Sequence, residues 1–204
     1  MPSVTKKFNT LKTNTGWTLS NFVGNNSTGT ATATTTGNNF TLEDPTVNDT
    51  TPGNNSTFSS VIPSNATVTG IETRYLAYKT VDEESGISAI VDNRIIIPSV
   101  STGARQVYGV VSSNSSSPDQ VIHGGANDLL NLSGFTISDL DNIEWFVTTI
   151  ISSITLELVA NLDPTAYSGF ISPSVTIHYA LPGEGFLIRS GQLSINSGQL
   201  YIRE

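Results

Sequence analysis

At 204 residues the chain has room for one large β domain with short extensions, and none for a second catalytic domain. Only 13 % of it is charged, Ser, Thr and Asn make up about a third, and the net charge of -8 gives phosphate backbones and anionic lipid no electrostatic reason to bind, so neither nucleic acid nor membrane is an expected partner. The lack of cysteine excludes structural disulfides, thiolate chemistry and zinc-thiolate sites.

Met1 to Phe8 lacks the apolar stretch of a secretory signal, which predicts synthesis in a cytoplasm. Residues 1–16 carry Lys6, Lys7 and Lys12 out of only nine Lys and Arg, and they read as an N-terminal connecting arm ahead of a domain over 17–181. β-Branched residues dominate the domain, and Gly and Pro interrupt it every few positions, so the expected elements are strands. Thr28 to Thr36 reads as a weak early strand, Asn48 to Thr57 as loop, and Phe58 to Ile62 as the start of another strand.

Thr67 to Thr80 is the longest expected strand, and its pattern is internally inconsistent. Val68 falls on one parity, whereas Ile71, Thr73, Tyr75 and Ala77 fall on the other. A bulge near Gly70 would return both sets to one buried face. Strands are then expected over Ile87 to Ile97, Gln106 to Val111 and Gln120 to His123. Ser138 to Asn142 is expected to form a helical turn capped by Ser138. Ile143 to Ile151, Ile154 to Ala160 and Val175 to Leu181 complete the series, the last with Val175, Ile177 and Tyr179 inward. Many short strands at regular spacing predict an all-β sandwich of two antiparallel sheets.

Beyond Leu181 the texture changes. Ser190-Gly-Gln-Leu-Ser-Ile is repeated as Ser197-Gly-Gln-Leu-Tyr-Ile. Gly191 and Gly198 argue against a heptad helix, at about 1 kcal/mol each relative to Ala, and favour a β-hairpin arm over 182–204. A hairpin of that size is marginal alone, so Leu187, Ile188, Leu193, Ile195, Leu200, Tyr201 and Ile202 are candidate assembly and docking residues.

Residues suited to catalysis are sparse. His123 and His178 have no neighbouring partner in sequence, and no Gly-x-Ser-x-Gly elbow marks a nucleophile. Glu43/Asp44, Asp82/Glu83/Glu84 and Asp139/Asp141 could supply the paired carboxyls of a glycosidase, but loop acids on a charge-poor surface are more often solvated. Asp139, Asp141 and Asn142 alternate oxygens as calcium loops do, without the glycine and distal glutamate of that signature; capping a turn is the simpler role. Neither a catalytic residue nor a metal or other cofactor is therefore expected. Trp17, Tyr78 and Tyr167 are the aromatics left for a surface that stacks on sugar, Trp145 and Tyr75 following strand parity into the core.

Ile62-Pro63-Ser64-Asn65-Ala66-Thr67-Val68-Thr69-Gly70-Ile71 resembles the Ile-Pro-Ser-x-Ala-x-Ile-x-Gly-Ile segment of a widespread jelly-roll module of tailed-bacteriophage structural proteins. In the same order, Gly124-Gly125-Ala126-Asn127-Asp128-Leu129 is similar to the module's Gly-Gly-x-x-Asp-Leu loop, Val175-Thr-Ile-His-Tyr to its closing strand, and Trp17 to its early tryptophan. The similarity spans about Trp17 to Leu181. Thr73 departs from the module's usual aliphatic residue, and 183–204 lie outside its pattern. The resemblance implies a jelly-roll sandwich and a virion protein, decorating the head or forming a neck or tail appendage, with other virion proteins as partners and a closed homo-oligomer, a trimer, as the expected form. The alternative is an attachment protein that binds host-surface glycan.

Overall fold

The structure is a computed structural model, and it describes residues 1–24, 28–48, 56–80, 89–113, 115–150, 155–161 and 171–182, with the backbone of 193–196 and 199–202. In chain order the strands are β1 (Ser3–Lys7), β2 (Thr10–Thr15), β3 (Thr18–Ser20), β4 (Thr30–Ala33), β5 (Asn39–Glu43), β6 (Val47–Asn48), β7 (Thr67–Thr80) and β8 (Ala89–Ile97). They continue as β9 (Ser101–Thr102), β10 (Gln106–Val110), β11 (Asp119–Gly124), β12 (Glu144–Ile150), β13 (Thr155–Val159), β14 (Ser174–Ala180), β15 (Leu193–Asn196) and β16 (Gln199–Ile202). One helical turn, α1 (Phe58–Val61), precedes β7, and a 3-10 turn over Ser138–Asn142 precedes β12.

Two antiparallel sheets form the sandwich. The larger runs β3-β4-β13-β7-β14-β1-β6 with β11 also on β7, and the smaller runs β10-β8-β12-β5-β2 with β9 on β8. Successive strands pass repeatedly from one sheet to the other, as in a jelly roll, so the fold is all-β as expected. Between the sheets, Trp17, Phe40, Trp145 and Tyr75 make a continuous aromatic line, with ring centroids 4.9, 5.8 and 5.2 Å apart in turn. The buried Asn93 satisfies the polar atoms of Tyr75 and Trp145, whereas Trp17 Nε1 at the other end of the line is buried without a hydrogen bond. The Asn93 amide donates to the Tyr75 hydroxyl at 3.2 Å, and its carbonyl oxygen accepts from Trp145 Nε1 at 3.3 Å.

β7 is the organising strand, because both of its edges are used and one edge changes partner. Leu76 pairs with Gln120 of β11 and Val159 of β13, whereas Arg74 pairs with Ile122 of β11 and Ser174 of β14. β13 and β14 therefore lie end to end along one edge of β7, and the sheet forks between them. Ser172 fills the fork. Its buried hydroxyl accepts from the Leu76 N–H at 3.0 Å and donates to the Val159 carbonyl at 2.6 Å, while its backbone exchanges hydrogen bonds with Asn161. One side chain thus repairs a ladder that would leave a buried donor unpaired.

The bulge expected near Gly70 is present. His178 pairs with Gly70 and Tyr179 with Val68, so Thr69 is the extra residue, and Val68, Ile71, Tyr75 and Ala77 all turn toward the core.

Three expectations need correction. Residues 1–16 are not an arm: β1 pairs with β14 and β6 inside the larger sheet, and β2 pairs with β5 in the smaller. Their lysines misled because a lysine stem is apolar. Lys6 is fully buried, its ammonium donating to Ser56 Oγ at 2.9 Å and lying 5.6 Å from the Phe58 ring, and Lys7 is buried beside it, its pKa pushed down to about 8 by desolvation. Phe58 opens α1 and not a strand, because the Asp141 carboxylate accepts the Ser59 N–H at 2.9 Å as well as its hydroxyl, capping the turn from across the fold. The turn at Ser138–Asn142 exists, but Ser138 makes no capping bond. Asp139, inside the turn, instead reaches back to accept the Thr136 N–H at 2.7 Å and its hydroxyl at 2.6 Å.

Candidate functional site

The segments that carry the phage resemblance come together at one place. Gly125 and Ala126 cross directly over Gly70, so close that a Cβ on Gly70 would stand 2.0 Å from the Gly125 carbonyl oxygen. Gly124, at φ 88°, is equally confined: a Cβ there would lie 2.1 Å from the Ile71 carbonyl oxygen. Backbone hydrogen bonds fasten the crossing, Ile71 N–H to Asp128 O at 2.8 Å and Gly125 N–H to Ile71 O at 3.1 Å. The closing strand lies on the same spot, Ile177 opposite Ile71 and His178 opposite Gly70. Trp17 lies elsewhere, in the core line against Phe40.

The histidines occupy opposite faces of the larger sheet and cannot share a substrate. His123 pairs with Thr73 on the core-facing parity, buried, and desolvation lowers its pKa against an opposing pull from Asp128. Both His123 Nδ1 and the neighbouring Thr73 Oγ1, the position that departs from the module's pattern, are buried without a hydrogen bond. His178 is on the outer face with Nε2 3.8 Å from Glu72, whose other oxygen accepts from Arg74 Nε. The histidines thus form no acid-base pair.

Three surface grooves differ in chemistry. The first, about 510 Å³, brings Lys12 together with Glu43, Asp44, Asp141 and Glu144. Lys12 projects from the bulge in β2, bonds Glu144 and lies 3.7 Å from Glu43; these carboxylates raise its pKa, the Glu144 hydrogen bond most. Asp141 is occupied with Ser59, and hydrogen bonds from Thr136 and Ser99 hold Asp139 below the usual carboxylate range. The acids read as potential catalytic pairs are therefore ion-paired or capping, except Asp44, which accepts a long 3.4 Å bond from Thr10, and Asp82/Glu83/Glu84, which lie outside the described residues. Among the described residues no group of three or more His, Cys, Asp or Glu is placed to hold a metal ion.

A second groove, about 490 Å³, has no charged residue in its lining. Ala66, Val68, Leu129, Leu132, Phe135 and Ile137 supply its apolar wall at one end of the sandwich. A third, about 410 Å³, lies between Asn9, Asp44 and the start of α1 and is lined by Ser, Thr, Asn and Asp residues.

The aromatics expected on a sugar-binding surface do not gather. Trp17 is 5 % exposed and edge-on to Phe40, which corrects its assignment to the surface. The segment that carries it folds inward under an Asn14 clamp: Asn14 accepts the Trp17 N–H at 3.1 Å and donates to its carbonyl at 2.9 Å. Tyr78 is half-buried on the outer face of β7, its hydroxyl bonded to Glu157 at 2.5 Å, and Tyr167 lies outside the described residues.

At the C-terminus the repeat forms a hairpin. Leu193 pairs with Ile202 and Ile195 with Leu200, which puts these four positions on one face and Ser194, Tyr201, Asn196 and Gln199 on the other. β15 and β16 pair only with each other and with no strand of the sandwich. Leu187 and Ile188 lie outside the described residues. Both ends of the sandwich chain emerge at the same place: the Tyr179 N–H bonds the Pro2 carbonyl at 3.1 Å, and Ala180 pairs with Thr67. No helix among the described residues is long and apolar enough to cross a membrane.

No protein-family model, curated protein or solved structure matches this chain.

Proposed function

We propose that this chain is a non-enzymatic structural or accessory protein of a tailed-bacteriophage particle, a head decoration or a neck or tail appendage, attached by the end of the sandwich from which both termini emerge. The observation that carries this reading is the crossing at Gly70. Three segments separated by some fifty residues each, and singled out for one resemblance, meet there as a single packed unit, which is what a shared module requires. The separate C-terminal hairpin supports attachment at that end, and the engagement of Glu43, Glu144, Asp139 and Asp141 in pairing and capping supports a role without catalysis.

Attachment is tested by following an epitope-tagged chain into gradient-purified particles. Full-length protein is expected in the particle fraction, and a chain ending at Pro182 is expected to fold yet stay behind. Equal incorporation of the two overturns attachment through the hairpin, and absence of the full-length chain from particles overturns the virion reading. Light scattering on the same pair reads assembly, with a closed trimer expected: a trimer that survives truncation places its contacts on the sandwich, and a fall to monomer assigns them to the hairpin.

A further inference from the structure

We propose that the uncharged groove at the end of the sandwich is the seat of the chain's own C-terminal hairpin, with Leu193, Ile195, Leu200 and Ile202 facing the groove. Four observations converge. The groove has an apolar wall and no charged residue in its lining, unlike the acidic cleft beside Lys12. The hairpin also has no charged residue from Leu193 to Ile202, and its ladder register collects four aliphatic positions on one face. A two-stranded hairpin of this length is marginal in water without a surface to cover that face, and no strand of either sheet pairs with it.

The fourth observation is where the chain leaves the sandwich. Tyr179 pairs with Val68 and Ala180 with Thr67, and both Thr67 and Val68 line the groove, so β14 delivers the chain to its lip. Residues 181–192 separate this exit from β15, and twelve residues span at most about 40–43 Å. A tether this short makes the encounter intramolecular, at an effective concentration on the order of millimolar, far above the micromolar concentration of a second copy in dilute solution. Seating the aliphatic face leaves Ser194, Asn196, Gln199 and Tyr201 outward, a neutral hydroxyl and amide surface at the end where both termini emerge. The inference concerns the free protein and does not rest on the particle reading.

Because the chain has no cysteine, the contact can be tested in the full-length protein by a single introduced pair. Thr67→Cys at the groove lip and Gln199→Cys on the outward face of the hairpin are treated with a short bis-maleimide in dilute solution, and the products are separated by mass. The expected product is an internal cross-link at monomer mass, in large excess over that from a control pair of Gln199→Cys with Val107→Cys, an exposed position on β10. Adding Val68→Asp to the groove should reduce the yield to the control level. Adding Ile195→Asp should do the same without touching the sandwich, so the result does not depend on the groove variant folding. A cross-link formed only between copies would give the groove to a second copy and overturn the proposal. Failure to cross-link, or a yield indifferent to Ile195→Asp, would overturn it as well. Either result leaves particle incorporation to be judged by its own experiment.

Discussion

The crossing at Gly70 and the C-terminal hairpin are both short glycine-bearing motifs, yet they are held in opposite ways. At the crossing, two backbone segments approach within the space a single Cβ would need, and ladder bonds from β11, β14 and the Gly125–Asp128 bridge lock them together. Among the described residues the hairpin has its own four residue pairs and no pairing to either sheet. The first region therefore couples sequence to stability atom by atom, whereas the second couples it to contact with another surface. Mutations should sort accordingly, the first kind read by unfolding and the second by binding.

The largest effect is expected from Gly70→Ala. Its Cβ would overlap a backbone oxygen that no rotamer change can move, so the unfolding free energy should fall by about 3 kcal/mol or more. A near-neutral result would mean that the crossing is looser than its distances imply. Ser172→Ala comes next, at about 1–3 kcal/mol, because it strips the Leu76 N–H of its partner at the fork. Asp141→Ala removes the cap of α1 and should cost about 1 kcal/mol, with Asp141→Asn recovering part of it. At the bottom of the scale, Ile195→Asp should lower the unfolding free energy only by the docking energy it forfeits, below about 1 kcal/mol, while abolishing the internal cross-link. If it destabilised the sandwich as much as Ser172→Ala, the contrast between the two regions would collapse.

Stability should also depend on pH in a defined direction. His123 is held neutral in the fold, so below about pH 6.5 the unfolded chain takes up a proton that the folded chain resists, and stability falls as pH drops through that window. Lys7 acts in the same sense at the alkaline end. With a folded pKa of about 8 against 10.5, it makes stability rise between those two values. Urea midpoints measured across pH should show both slopes; His123→Gln should flatten the acid one and Lys7→Met the alkaline one.

Most of the strand order was legible because it is written in alternation: β7, β8 and β10 to β14 lie where the pattern predicts, and the change of parity at Gly70 foretold the bulge. What alternation cannot report is partnership across the fold. Lys6 and Lys7 look solvated in sequence because nothing near them announces Ser56 and Phe58. Ser59 looks like the start of a strand until Asp141, far along the chain, caps it. Trp17 was the costliest misreading, since removing it from the surface and leaving Tyr78 bonded to Glu157 takes away two of the three aromatics that argued for sugar. The apolar groove was invisible for a related reason: its two walls come from the start of β7 and from the connection that follows β11. The segments around Gly70 and Gly125 touch, a contact that periodicity does not report.

The position of β14 also determines how this molecule would bear load. It lies between β7 and β1, paired along seven positions with the first and five with the second, and its end at Ala180 points toward the C-terminal segment. Tension entering from that segment would run along the strand axis, at right angles to the ladder's hydrogen bonds. Such a pull shears the flanking bonds together instead of opening them one by one from an end. A pull applied through this strand would be resisted by the bonds on both sides of β14 sharing the force.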